Sequence, residues 1–253
     1  RIHDVVIGGW LDSFLDEHKW LVRLLKKFDA IYVESDMMKS ALQRRGFENA
    51  VVMYNFKELE PLAESDIEYP KSEPYKLCTF SRVMKEKGIE DAINAVESVN
   101  AHFGRTVYTL DIFGQVDVEY KERFSQLEKS FPDYISYGGA IEANKSVETL
   151  KSYFALLFPT YYKGEGFAGT LIDAISAGVP VIASDWKYNP EFVVHGKTGV
   201  IIKNCNAERL AEELINIAAA PEKWNSMRLS ALKESEKYKP DIAARPLIDR
   251  ING

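Results

Sequence analysis

Two hydrophobic rhythms alternate along this chain. Short runs of β-branched and aromatic residues read as strands: DVVIGG from Asp4, DAIYVES from Asp29 and NAVVMYNF from Asn49. Between the first two, LDSFLDEHKWLVRLLKK reads as one amphipathic helix with Trp20, Leu21, Leu24 and Leu25 on its apolar face. Ser35 is placed to cap the next helix, DMMKSALQRRG, which Gly46 ends. The pattern then stops. KELEPLAESDIEYPKSEP, from Lys57 to Pro74, is rich in charge and proline, lacks periodicity and predicts a linker.

After Pro74 the alternation resumes, with YKLCTFS, TVYTLDIFG, YISYGG, ALLFPT, VPVIAS and GVIIK as strands. Helical runs such as GIEDAINAVESVNAHF and FAGTLIDAISAG lie between them, and AERLAEELINIAAA and two charged helical segments follow. Such alternation with short connections predicts an α/β fold, with parallel sheets covered by helices on both faces. The linker divides the chain into residues 1–58, too few for a full doubly wound sheet, and residues 59–253, which have enough elements for one. The opening RIHDVV has neither an initiator methionine nor a signal peptide and reads as a start inside a longer protein.

Composition narrows the classes. A net charge of −6 and a pI of about 5.4 give no basic field for nucleic acid. Cys78 and Cys205 have no paired spacing, which points to a reducing, cytoplasmic protein without structural zinc. Neither His3, His18, His102 nor His195 shows metal-ligand spacing, and Asp117 before Val118-Glu119 reads as a helix cap rather than a metal ligand.

The chemistry concentrates in YYKGEGFAGTLIDAISAGVPVIASD, from Tyr161. It contains a G-x-G-x-x-G at Gly164, Gly166 and Gly169, the spacing of a dinucleotide cradle. In that cradle the first glycine follows directly on the strand, whereas Tyr161, Tyr162 and Lys163 intervene here. Glu165 would also set a carboxylate against the pyrophosphate. HGKTG at His195 lacks the first glycine of a phosphate-binding loop, because Glu191 stands there, and it leads into a strand.

What the segment does resemble is the retaining glycosyltransferases of the group 4 type, with the two-domain GT-B fold. Glu165 and Asp173 match that family's acid, seven residues, acid signature, with Asp173 one methylene shorter than the usual Glu. FSRVMKEKGI looks like its Arg…Lys-Gly element, giving Arg82, Lys87 and Gly88. DIFG and ISYGGAI fit its order. The resemblance implies a complete Rossmann-like donor domain after a fragment of the acceptor-side domain.

It further implies transfer of a sugar from a UDP- or GDP-type sugar, with retention and without a metal. Glu165 would hold the sugar and Asp173 the ribose. Arg82 and Lys87 would hold the diphosphate, and the backbone of Gly166, Phe167, Ala168, Gly169 and Thr170 would line it. The base would sit near Gly139, Ala140 and Ile141. The acceptor would be a saccharide or lipid-linked saccharide of a bacterial surface polysaccharide, and the truncated chain alone would be inactive. The basic residues Arg23, Lys26 and Lys27 would suit peripheral contact with the inner membrane face, although a solvated helix diluted by Asp12, Asp16 and Glu17 explains them too. A nucleotide-sugar binding or regulatory module without catalysis is the alternative.

Overall fold

The computed structural model describes residues 4–8 and 11–253, without the side chains of residues 11–13, so His3 and the side chain of Asp12 lie outside it. Three strands, β1 (Asp4–Ile7), β2 (Ala30–Val33) and β3 (Ala50–Val52), form a parallel sheet in that order. Helices α1 (Leu11–Glu17), α2 (Lys19–Leu25) and α3 (Asp36–Arg44) connect them. Ser35 caps α3 as its position predicts, its Oγ accepting from the Met38 amide at 3.0 Å.

The single helix expected over residues 11–27 is broken at His18. The imidazole stacks on Phe14 with ring centroids 4.0 Å apart, and its backbone leaves the helical region. The break also rotates the expected apolar face. Leu25 is buried, but Trp20 is 66% exposed and Leu24 lies half in solvent.

The second sheet holds six parallel strands: β4 (Tyr75–Phe80), β5 (Tyr108–Phe113), β6 (Ile135–Gly139), β7 (Ala155–Phe158), β8 (Val181–Ser184) and β9 (Gly199–Ile202). Their spatial order is β6-β5-β4-β7-β8-β9. Side chains alternate across the sheet as the strand period requires. Cys78, Leu156 and Phe158 join one core, which α7 (Gly169–Ser176) closes. Leu77, Ala155 and Leu157 join the other, under α4 (Ile89–Phe103) and α9 (Ala207–Ala219). Shorter helices α5 (Lys121–Glu128), α6 (Ser146–Leu150) and α8 (Asn189–Phe192) complete the connections.

The two charged segments expected at the end form four helices: α10 (Pro221–Asn225), α11 (Met227–Glu234), α12 (Pro240–Ala243) and α13 (Arg245–Asn252). The last returns to the first sheet, where Leu247 packs near Tyr32 and Met53 and Arg250 pairs with Asp4 at 3.1 Å. The core on the α7 side runs without interruption from Leu15, Ile31 and Leu42 of the first unit to Phe167 and Phe192 of the second. Aromatic rings seal this junction: Phe167 lies flat on Phe192, with centroids 3.6 Å apart, and Tyr238 and Tyr54 abut them edge-on. Between Lys57 and Pro74 the chain has one short 3-10 turn (Glu64–Asp66) and is tied to α7 by the Leu62 amide on the Ser176 carbonyl.

Candidate functional site

In the larger sheet the chain runs from β4 outward through β5 and β6, then returns to place β7 on the other side of β4. Strand order therefore reverses between β4 and β7. In open parallel sheets the crevice beyond the carboxyl ends at such a reversal is where ligands bind, because diverging loops leave it open. Arg82 follows β4, and Lys87 ends the short turn Lys85–Lys87. Thr160 and Glu165 follow β7, and α7 begins at Gly169.

Lys87 and Glu165 meet at the centre of this crevice. The ammonium donates to both carboxylate oxygens, at 2.9 Å to Oε1 and 2.7 Å to Oε2. Thr160 Oγ1 adds a third donor at 2.7 Å. Lys87 also sits over the rings of Phe158 and Tyr162, about 5.4 and 5.3 Å from their centroids, so a cation there is favoured from several sides. Gly88 makes this meeting sterically feasible. Its backbone is left-handed at φ +74, and a Cβ there would stand 2.4 Å from the Pro159 carbonyl oxygen, so a larger residue would push the Lys87 turn away from β7.

Glu165 is only 5% exposed and does not cap the following helix. The cap position of α7 is Ala168, which contributes no side-chain bond. The helix begins at Gly169 rather than near Phe167. The Phe167 amide is not directed at the crevice, since it donates to Glu34 Oε2 at 3.2 Å, and its carbonyl accepts from Asn55 Nδ2 at 3.1 Å. Its ring is buried against Phe192. Phe167 thus joins the two units, and its ring and amide are withdrawn from any ligand. Thr170 spends its hydroxyl on the Phe80 carbonyl, tying α7 to the end of β4.

Arg82 reaches into solvent, 60% exposed, with Asp117 3.7 Å away. Asp117 is a cap as expected, accepting from the Glu119 amide at 3.0 Å. Gly139 closes β6, and Ala140 and Ile141 beyond it line a cavity of about 160 Å³ with Phe80, Ser81, Phe113, Gly114 and Gln115. Phe80 and Phe113 meet edge to face beside it, with centroids 6.2 Å apart.

Asp173 is 1% exposed, and both its oxygens are bonded: Oδ1 accepts from Ser146 Oγ at 2.8 Å, Oδ2 from Lys57 Nζ at 2.6 Å. Sequence reasoning missed Lys57, Ser146, Thr160 and Glu34. Glu34 lies beside the junction, where burial raises its carboxyl above the ordinary range and the Phe167 amide opposes that in smaller measure.

The family described as "Glycosyl transferases group 1" matches residues 63–234, some two thirds of the chain. The chain belongs to this family. Among similar proteins, the GtfA subunit of the UDP-N-acetylglucosamine–peptide N-acetylglucosaminyltransferase from Streptococcus gordonii is 30% identical over 67% of this chain and 34% of its own length. The poly(glycerol-phosphate) alpha-glucosyltransferase of Bacillus subtilis is 26% identical over 71% of this chain and 26% of its own length. The chain thus spans no more than about half the length of these curated relatives. Among solved structures, Anabaena HepE in complex with UDP superposes with a TM-score of 0.83, at 15% identity, over all of this chain and 72% of that one. The pneumococcal O-GlcNAc transferase GtfA in complex with UDP and GlcNAc gives 0.74 at 19% identity, over 98% of this chain and 52% of that one. As a member of this family, the chain has the GT-B arrangement, with a Rossmann-like unit carrying the crevice and strands of a second unit packed against it.

Proposed function

We propose that this chain binds the nucleoside diphosphate sugar of a glycosyltransferase that passes the sugar, with retention at the anomeric carbon, to a saccharide or lipid-linked saccharide acceptor. The product would be a bacterial surface polysaccharide or glycoprotein, in keeping with the names of the relatives. The observation that carries this reading is the Lys87–Glu165 pair at the strand-order reversal, with Arg82 following the end of β4 beside it.

Glycosyl transfer leaves negative charge on the departing diphosphate. Fixed cations already in place stabilise that charge without reorganising during reaction. Arg82 supplies a planar fork and Lys87 a point charge. Glu165, already oriented by Thr160, offers its remaining lone pair to a sugar hydroxyl. The recess at Ala140 and Ile141, with its Phe80 and Phe113 edges, suits a flat base, and a uracil or guanine would be held there mainly by contact. The exposed Trp20 and Leu24 beside Arg23 and Lys27 make an anionic lipid surface a fitting neighbour for a lipid-linked acceptor.

Thermal denaturation with UDP, GDP and ADP, and with their sugars, tests the reading. A ligand that binds only the folded chain raises its midpoint. One or more of the uridine and guanosine compounds should do so, and Arg82→Ala should reduce the shift. No shift from any of them at millimolar concentration would overturn the proposal.

A further inference from the structure

Asp173 matches the family's second acid in position, and in this chain it is held on both oxygens. It is 1% exposed, and its two oxygens are claimed by Ser146 and Lys57. Ser146 is itself fully buried, and its single hydroxyl proton, within reach of Asp173 and of the Ala143 carbonyl, ties Asp173 to the start of α6. The residue of this cluster that reaches the surface is Lys57, whose side chain is 32% exposed. Lys57 comes from the segment leaving the first unit, 116 residues before its partner.

The side chain of Lys57 lies along the first turn of α7. A Cβ added to Gly169 would stand 2.9 Å from Lys57 Cε and 3.5 Å from Nζ. The third glycine of the G-x-G-x-x-G spacing is therefore small to admit a lysine. An ammonium carries three N–H donors, and Asp173 takes one of them. The Nζ atom that carries the remaining two lies beside the N-terminal turn of α7.

We propose that Lys57 is a third cation of the diphosphate site and that Asp173 is the positioning residue that holds it. This rests on the function proposed above and adds the first unit to the donor site. In this arrangement the acid acts on the nucleotide through Lys57. The shorter Asp is then suited to its place, since a Glu would have to fit an additional methylene into a buried site whose donors are already set for Asp.

Calorimetric titration with UDP and GDP, at two salt concentrations, tests the assignment on the whole chain. Lys57→Met should weaken the nucleotide that binds by about tenfold or more, as expected for a lost hydrogen bond from a charged group. It should also flatten the salt dependence of affinity, which a purely structural clasp would not alter. Lys57→Arg should restore most of the affinity. Asp173→Asn should weaken binding too, because the ammonium loses its anchor. Lys57→Gln keeps a donor toward Asp173 without the charge, and serves if Lys57→Met does not fold. Wild-type affinity in folded Lys57→Met or Lys57→Gln, with Arg82→Ala still weakened, would overturn this inference alone. Failure of the wild-type chain to bind either nucleotide would overturn it together with the reading it rests on.

Discussion

Lys87 and Glu165, 78 residues apart, form a two-pronged ion pair that is almost closed to solvent. Removing one partner of such a pair strands the other without compensation, at about 3–5 kcal/mol, whereas replacing both with apolar groups costs far less. Lys87→Met alone should therefore destabilise the chain by about 3 kcal/mol or more. The double variant with Glu165→Leu should recover a good part of that loss, as chemical denaturation would show. Equal and additive losses would mean that the two residues do not interact in solution.

Arg82 should behave in the opposite way. Its 60% exposed guanidinium contributes little to folding through Asp117 at 3.7 Å. Arg82→Ala should leave the melting temperature nearly unchanged and weaken nucleoside diphosphate binding by about 1.5–3 kcal/mol. Calorimetry beside thermal denaturation separates the two effects.

Glu165→Ala in the intact enzyme should depress turnover strongly, because positioning of the sugar matters most in the transition state. Its affinity for the bare nucleoside diphosphate should fall much less than that of Arg82→Ala. Single-turnover rates and calorimetric affinities on the same preparations check this, and unimpaired turnover would remove Glu165 from the site.

Much of this arrangement is legible in the residues, and the rest is hidden for identifiable reasons. Ser35, Gly88, Arg82, Lys87 and Glu165 stand beside strand ends, where local pattern and chemistry coincide. Lys57 lies in an aperiodic stretch, and its partner is known only once α7 is folded against it. Thr160 reads as the end of an apolar run, although its hydroxyl orients Glu165. The break at His18 has neither Gly nor Pro to announce it, and arises from an imidazole stacked one turn back on Phe14. The ring of Phe167 is withdrawn because the junction between the units needs a flat apolar surface more than the crevice does.

Glu34 gives the junction a pH dependence. Burial raises its carboxyl above the unfolded value, so its contribution to stability is complete below the unfolded pKa and declines as pH rises through the folded one. Burial, Glu191 and then Glu34 in turn raise the neighbouring Tyr188 hydroxyl. Glu34→Gln keeps an acceptor for the Phe167 amide and removes the buried charge. It should melt higher than the wild type at pH 7, and the difference should shrink toward zero below about pH 4. A difference that grows on acidification would reverse the assigned sign.

Glu191, the residue that spoils a phosphate-loop reading of its segment, spans the gap between the two units. Its carboxylate accepts from the amides of Asp36 at 2.6 Å and Met37 at 3.0 Å, at the start of α3. A helix of one unit is thus finished by a side chain of the other. Any rotation that parts the units takes that acceptor from those two amides, while Ser35 keeps its own bond to the Met38 amide. Hydrogen exchange at two backbone positions in the smaller unit then becomes a clock for how often the two units part at Glu191.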